Sequence, residues 1–228
     1  VRLSVVLPAL GLVAYGLAVA FLSPDTVHAM VVSEHGPVEL ATAAGFAAAG
    51  LVGLGLAART RGIAPASVRI FYLLFAAGAL FASLEEISYG QHLVGWTTPR
   101  WFAERNAQRE TNLHNLFADR PGRALRNLSL VAVALGGIIA PLAAMRRPSA
   151  YDRGRWGYYL LPRAELVPLA SGMLLMRLVR TAPGRVRGGW DVGLIEVMEL
   201  YFALAALVYV LVLRRRVLRP HEREPRGT

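Results

Sequence analysis

Apolar blocks about as long as a bilayer is thick constrain this chain most. A helix needs about 20 mostly apolar residues to cross the hydrocarbon core. Six stretches meet or approach that length: Ser4–Leu22, Val38–Ala57, Ile70–Tyr89, Asn127–Met145, Glu165–Val179 and Val192–Leu213. The fifth is the shortest and holds Pro168 and Arg177, so a kinked, tilted or re-entrant course is expected there. Composition agrees with this reading. Of 228 residues, 55% are hydrophobic and 18% charged, against roughly 45–50% and 25% in soluble domains. Mean hydropathy is +0.42. A disordered chain is excluded, because disorder requires low hydrophobicity. A soluble enzyme is disfavoured, because the apolar residues come in blocks and not in alternation. The first stretch carries Arg2 ahead of its apolar core, as a signal peptide does. It lacks a convincing small-residue cleavage site and is read as a span.

The net charge is +10, and all 25 basic residues are arginine. A pI near 10.9 would suit nucleic acid, but the arginines lie between apolar blocks or at the chain end. Positive loops facing the cytoplasm and anionic lipid explain that placement better, so no nucleic-acid partner is expected. Loop one, residues 23–37, has Asp25 and Glu34 and no Arg. Loop two has Arg59, Arg61 and Arg69, loop four has five arginines between Arg146 and Arg163, and the tail from Arg214 has six. The positive-inside rule places loops two and four, the tail and both termini in the cytoplasm. Loop three, of mixed charge, and loop five, with Arg180, Arg185 and Arg187, then lie outside. There is no cysteine, which excludes disulfides, thiolate metal sites and cysteine nucleophiles.

The expected fold is all-α: a polytopic bundle of six transmembrane helices, with short interfacial helices in the long third loop. Residues 1–213 form the membrane domain and residues 214–228 a basic, disordered tail. Ala41, Gly45, Gly50, Gly53 and Gly55 make span two nearly smooth, which predicts a central place in the bundle. The Arg214–Arg216 run is expected to anchor span six at lipid headgroups. Pro99 is placed to open an interfacial helix beside Trp96 and Trp101. Asp191 is expected to cap span six.

Carboxylates inside apolar spans are the candidate chemistry. Glu85 and Glu86 close span three, and Glu196 and Glu199 open span six. A charge at mid-membrane costs about 2.5–3.5 kcal/mol on insertion scales, and less toward the interface. Such groups should be paired, protonated, hydrated or bound to a cation. The proposed topology brings all four, with Arg177, to the outer face. Adjacent Glu85 and Glu86 point about 100° apart on a helix. Glu85, Ser88, Tyr89 and His92 share one face if the helix continues past Gly90. Glu110 and His114 stand at i, i+4, which would let both meet one metal on a loop helix. Asn112 and Asn115 add amide donors and acceptors.

Two segments carry a resemblance. Glu85-Glu-Ile-Ser-Tyr-Gly-Gln91, followed by Asn106-x-Gln-x-Glu110-x-Asn-Leu-His-Asn115, resembles a signature of uncharacterised bacterial multi-pass membrane proteins. There the first part usually reads E-E-I-S-W-G-Q, and Tyr89 here replaces Trp. The resemblance covers residues 83–117 and implies a bacterial cytoplasmic-membrane location. It carries no activity. The Glu-Glu pair is also similar to that of intramembrane CAAX-type proteases, but Gly90 and Gln91 follow here, and no later span carries their F-x-x-x-H pattern.

These residues lead to one expectation with alternatives left open. The first is a metal-dependent hydrolase of a lipid or lipid-linked substrate. Glu85, Glu86, His114 and Glu199 would be catalytic, and Gln91, Asn112, Asn115 and Arg177 would bind substrate. Glu85, His92, His114 and Glu196 would hold a divalent metal such as Zn²⁺, whose open position activates water. The alternatives are a non-catalytic structural or accessory subunit and a proton- or cation-coupled transporter. Membrane lipid is the expected partner in every case; oligomeric partners are not specified.

Overall fold

The computed structural model describes residues 2–33, 36–106, 109–113, 116, 128, 130–181 and 193–218, with residues 2–8 described by their backbone alone. The described residues are helical with no strand. Helix α1 spans Arg2–Phe21 and the short α2 spans Pro24–Val27. Helices α3 (Pro37–Arg59) and α4 (Ala66–Glu86) are long and apolar. Two short helices follow, α5 (Gln91–Val94) and α6 (Arg100–Arg105). Then come α7 (Leu130–Met145), α8 (Trp156–Leu160), α9 (Val167–Thr181) and α10 (Leu194–Val217).

Among the described residues, three runs are long and apolar enough to cross a membrane: the one that ends in α3, then α4 and α10. The described apolar parts of α1 and α7, Ala9–Phe21 and Leu130–Met145, are shorter. Helix α9 has 15 residues. Pro168 stands in its first turn and not in its middle, where a missing N–H costs nothing and the fixed φ suits a helix start. The expected kink is therefore a helix beginning.

Helix α3 is the centre of the packing, gripped by α4 on one side and α10 on the other. Its small residues make both contacts. A Cβ built on Gly45 would stand 3.1 Å from Ala203 of α10. One built on Gly50 would stand 2.6 Å from Leu80 Cγ of α4, and one on Gly53 would stand 3.2 Å from Ala76 Cβ. Close backbone approach is how helices gain dispersion contact where lipid supplies no hydrophobic drive. Ser83 of α4 adds a 2.8 Å hydrogen bond to the carbonyl of Ala43. These pairings make α4 antiparallel and α10 parallel to α3. The end of α4 and the beginnings of α3 and α10 thus share one end of the bundle. Two apolar clusters meet along α10: one with α1, α7 and α9 around Tyr15, Met173 and Tyr201, the other with α3 and α4 around Leu56, Tyr72 and Leu213.

The arginine-rich end is closed by aromatic hydroxyls and one buried guanidinium. Arg216 is 8% exposed. It donates to the carbonyls of Gly157, Tyr158 and Leu161 at 3.1, 2.9 and 2.8 Å. The hydroxyls of Tyr72, Tyr209 and Tyr151 donate to the carbonyls of Tyr159, Leu160 and Pro162, each at 2.8 Å. The last carbonyls of a short helix and of the turn that follows it must be satisfied somehow, and here side chains do much of it. This corrects the expectation for the Arg214–Arg216 run. Arg214 and Arg215 are exposed, but Arg216 turns inward and binds protein. The tail from residue 219 lies outside the described residues.

Candidate functional site

The polar site is built where α4 stops. The helix ends at Glu86, and Ser88 and Tyr89 then adopt φ values of 46° and 56°. Left-handed backbone at non-glycine residues costs about 1–3 kcal/mol each and persists only where the surroundings over-determine it. Gly90 and Gly95 follow at φ 81° and 80°, where the lack of Cβ removes that cost. The expected continuous helical face from Glu85 to His92 therefore does not exist. The chain turns at Ser88 and brings the same side chains together by another route.

The two halves of the signature meet there. Glu110 Oε2 accepts from Ser88 Oγ and, at 3.0 Å, from Asn112 Nδ2. Its Oε1 lies 2.5 Å from His92 Nε2. Asn112 Nδ2 also reaches Ser88 Oγ at 3.0 Å. Glu85 Oε1 accepts from the Tyr89 hydroxyl, and its Oε2 accepts from the backbone N–H of Leu113 at 2.7 Å. Gln91 bridges outward, donating to Thr98 Oγ1 at 2.7 Å and accepting from the N–H of Thr111 at 2.8 Å. Asn106 donates to the carbonyl and to Oδ1 of Asn112 at 2.9 and 2.7 Å. Ser88 and Asn112 are each 1% exposed, and Glu85 and Glu110 are 4% and 5% exposed. His92 keeps a third of its side chain in solvent. Partial burial, and then the hydrogen bond to Glu85, push the Tyr89 phenol up to about 12.

Helical phase separates the adjacent carboxylates. Glu85 turns into this clasp. Glu86 faces the bundle, within electrostatic reach of Glu199 and Glu39, and also of Glu85 and Glu196. Four helix-end carboxylates from α3, α4 and α10 thus gather at one end. Arg180 and His28 lie within reach of Glu196. Arg177 is half-buried on α9, with its carbonyl accepting from Thr181 Oγ1 at 3.0 Å.

The sequence-derived site is therefore divided. Glu85, Gln91, His92 and Asn112 belong to the clasp; Glu86, Glu196 and Glu199 belong to the inner acidic group. His114 and Asn115 lie outside the described residues, as does Asp191; Gly193, at φ 73°, stands at the start of α10. Residues 109–113 are not helical, so the spacing of Glu110 and His114 is not a helical face. Glu110, Asn106 and Thr98 are clasp members that the expected site set omitted. Glu110 and Asn106 are fixed letters of the signature and could have been included. Glu39 was also omitted, although topology alone puts the start of span two at the outer face. Pro99 does precede a short helix, α6, with Trp101 exposed.

The order of groups limits the chemistry. Glu110 sits between Ser88 and His92, whereas a serine nucleophile needs the imidazole beside it and the acid behind. A carboxylate could itself take the serine proton, but Ser88 is closed off from any substrate carbonyl. Among the described residues, no three His, Asp or Glu side chains are placed to hold one ion. Two surface grooves, of about 270 and 250 Å³, lie elsewhere. One is lined by Met145, Tyr151, Arg163, Ala164 and Glu165, the other by Leu51, Val52, Gly55, Arg59 and Arg214.

The described residues thus form an all-helical protein, with three helices among them long and apolar enough to cross a membrane and a hydrogen-bonded loop clasp at one end. Comparison with protein-family models, with curated proteins and with solved structures found no match.

Proposed function

We propose that this chain is a non-catalytic accessory subunit of a bacterial cytoplasmic membrane, with six spans and both termini inside, whose signature segment clasps the outer loop to the bundle. The loop-charge asymmetry supports the orientation, and the signature resemblance supports the bacterial setting. One observation carries the functional part: the four carboxylate oxygens of Glu85 and Glu110 all accept hydrogen bonds from the chain's own groups. Buried polar networks that are satisfied in this way rigidify and specify a structure. Metal-dependent hydrolysis has less support, because Glu85 and His92 belong to the clasp and Glu196 to the inner acidic group. The test is purified protein offered phospholipids and polyprenyl phosphates, with and without added Zn²⁺, beside Glu110→Gln. We expect no turnover, and an effect of Glu110→Gln on stability alone. Turnover that disappears in a folded Glu110→Gln variant overturns the reading.

A second reading, proton- or cation-coupled transport, draws on the gathering of Glu39, Glu86, Glu196 and Glu199 at one end. Ionisable groups inside spans commonly mark such pathways. Proton uptake into vesicles that depends on Glu86, and is lost in Glu86→Gln, would favour it over the accessory role.

A further inference from the structure

At the opposite end of the bundle, the last turns of α3 and α10 leave a groove of about 250 Å³ lined by Leu51, Val52, Gly55, Arg59 and Arg214. Its two arginines come from different helices and line the same groove because α3 and α10 run parallel. Both are exposed, and neither guanidinium makes a hydrogen bond or ion pair with a described residue. Their neighbour Arg216 shows the contrast, its terminal nitrogens donating to three backbone carbonyls. The rest of the groove is apolar. Leu51 is 63% exposed, and a Cβ added to Gly55 would meet nothing within 4 Å. The polar and apolar parts are separated along α3, with the guanidinium one helical turn beyond Gly55 and the leucine one turn before it.

We propose that this groove binds one anionic phospholipid, its phosphate held by Arg59 and Arg214 and its acyl chain laid over Gly55, Val52 and Leu51. A phosphate accepts well from two guanidinium groups, which offer planar donor forks. The notch at Gly55 admits a chain against the helix surface, and the apolar lining would be left against lipid in any case. A free phosphate would use the arginines and have no use for the notch. The proposal rests on α3 and α10 as membrane spans, which resistance of the protein to alkaline extraction from membranes tests separately.

The test is native mass spectrometry of the full chain released from detergent, with phosphatidylglycerol, phosphatidylcholine and glycerol 3-phosphate as probes. Phosphatidylglycerol should be retained as one molecule per chain and in preference to phosphatidylcholine. Arg59→Gln and Arg214→Gln should each weaken retention about fivefold, the equivalent of about 1 kcal/mol for one interfacial arginine. Arg215→Gln, outside the groove, should leave it unchanged. Gly55→Phe carries a ring into the notch from a Cβ that meets nothing within 4 Å, and should weaken lipid retention while sparing the fold. Equal retention of the two lipids, or equal effects of Arg215→Gln and Arg59→Gln, overturns the proposal. So does competition by glycerol 3-phosphate combined with indifference to Gly55→Phe, which assigns the arginines to a soluble phosphate.

Discussion

Glu110→Ala is the sharpest test of the clasp. Glu110 is 5% exposed and accepts from Ser88 Oγ, Asn112 Nδ2 and His92 Nε2. Alanine removes the acceptor and leaves its donors behind. Ser88 and Asn112, each 1% exposed, cannot turn to water. A buried donor without a partner costs about 1–3 kcal/mol. Asn112 Nδ2 keeps its bond to Ser88 Oγ at 3.0 Å, so the Asn112 term falls at the low end. His92, with a third of its side chain in solvent, can hydrate and adds little. The left-handed turn at Ser88 and Tyr89 also loses one of its constraints. The sum is a destabilisation of about 2–4 kcal/mol. The assay is reversible unfolding in mixed micelles, followed by tryptophan fluorescence, with Glu104→Ala as control. Glu104 pairs with Arg100 at 2.7 Å, but their side chains are 49% and 92% exposed, and such a pair contributes about 0–1 kcal/mol. If Glu110→Ala unfolds within 0.5 kcal/mol of Glu104→Ala, the clasp holds nothing and the reasoning fails.

Three further outcomes follow from the same geometry. Arg216→Gln should destabilise by about 2–3 kcal/mol, because charged donors leave the half-buried carbonyls of Tyr158 and Leu161, whereas exposed Arg215→Gln should stay within about 0.5 kcal/mol in the same unfolding assay. Gly50→Ala should cost about 1–3 kcal/mol, since its Cβ would lie 2.6 Å from Leu80 Cγ and 3.1 Å from the Ala76 carbonyl; Gly78→Ala, with nothing within 4 Å, should be neutral or stabilising. The Tyr89 phenol, raised by partial burial and by Glu85 from 10.0 to about 12, contributes stability below pH 10 that is lost as the pH rises toward 12. Ultraviolet phenolate titration of Tyr89→Phe should show one late-titrating phenol fewer than the native protein, and a late phase unchanged by that substitution would refute the assignment.

The all-helical character and the central place of α3 were legible in the sequence, because block hydropathy and runs of small residues act through local backbone geometry. Helical phase was also enough to send Glu85 and Glu86 in different directions. Phase could not show that α4 would stop at Glu86. A hydrophobic pattern gives no warning that Ser88 and Tyr89 will take left-handed backbone, which the bonds to Glu110, Asn112 and Glu85 help to hold in place. The partnership of Ser88 with Glu110 spans 22 residues and depends on how a loop folds back, which periodicity does not encode. The same holds at the other end. Three consecutive arginines read alike in sequence, yet Arg216 is drawn inward by the carbonyls of Gly157, Tyr158 and Leu161 while Arg214 faces an open groove. Local propensity and hydropathy determined the helices. Long-range satisfaction of buried polar groups, a property of the packed structure alone, decided what each polar residue does.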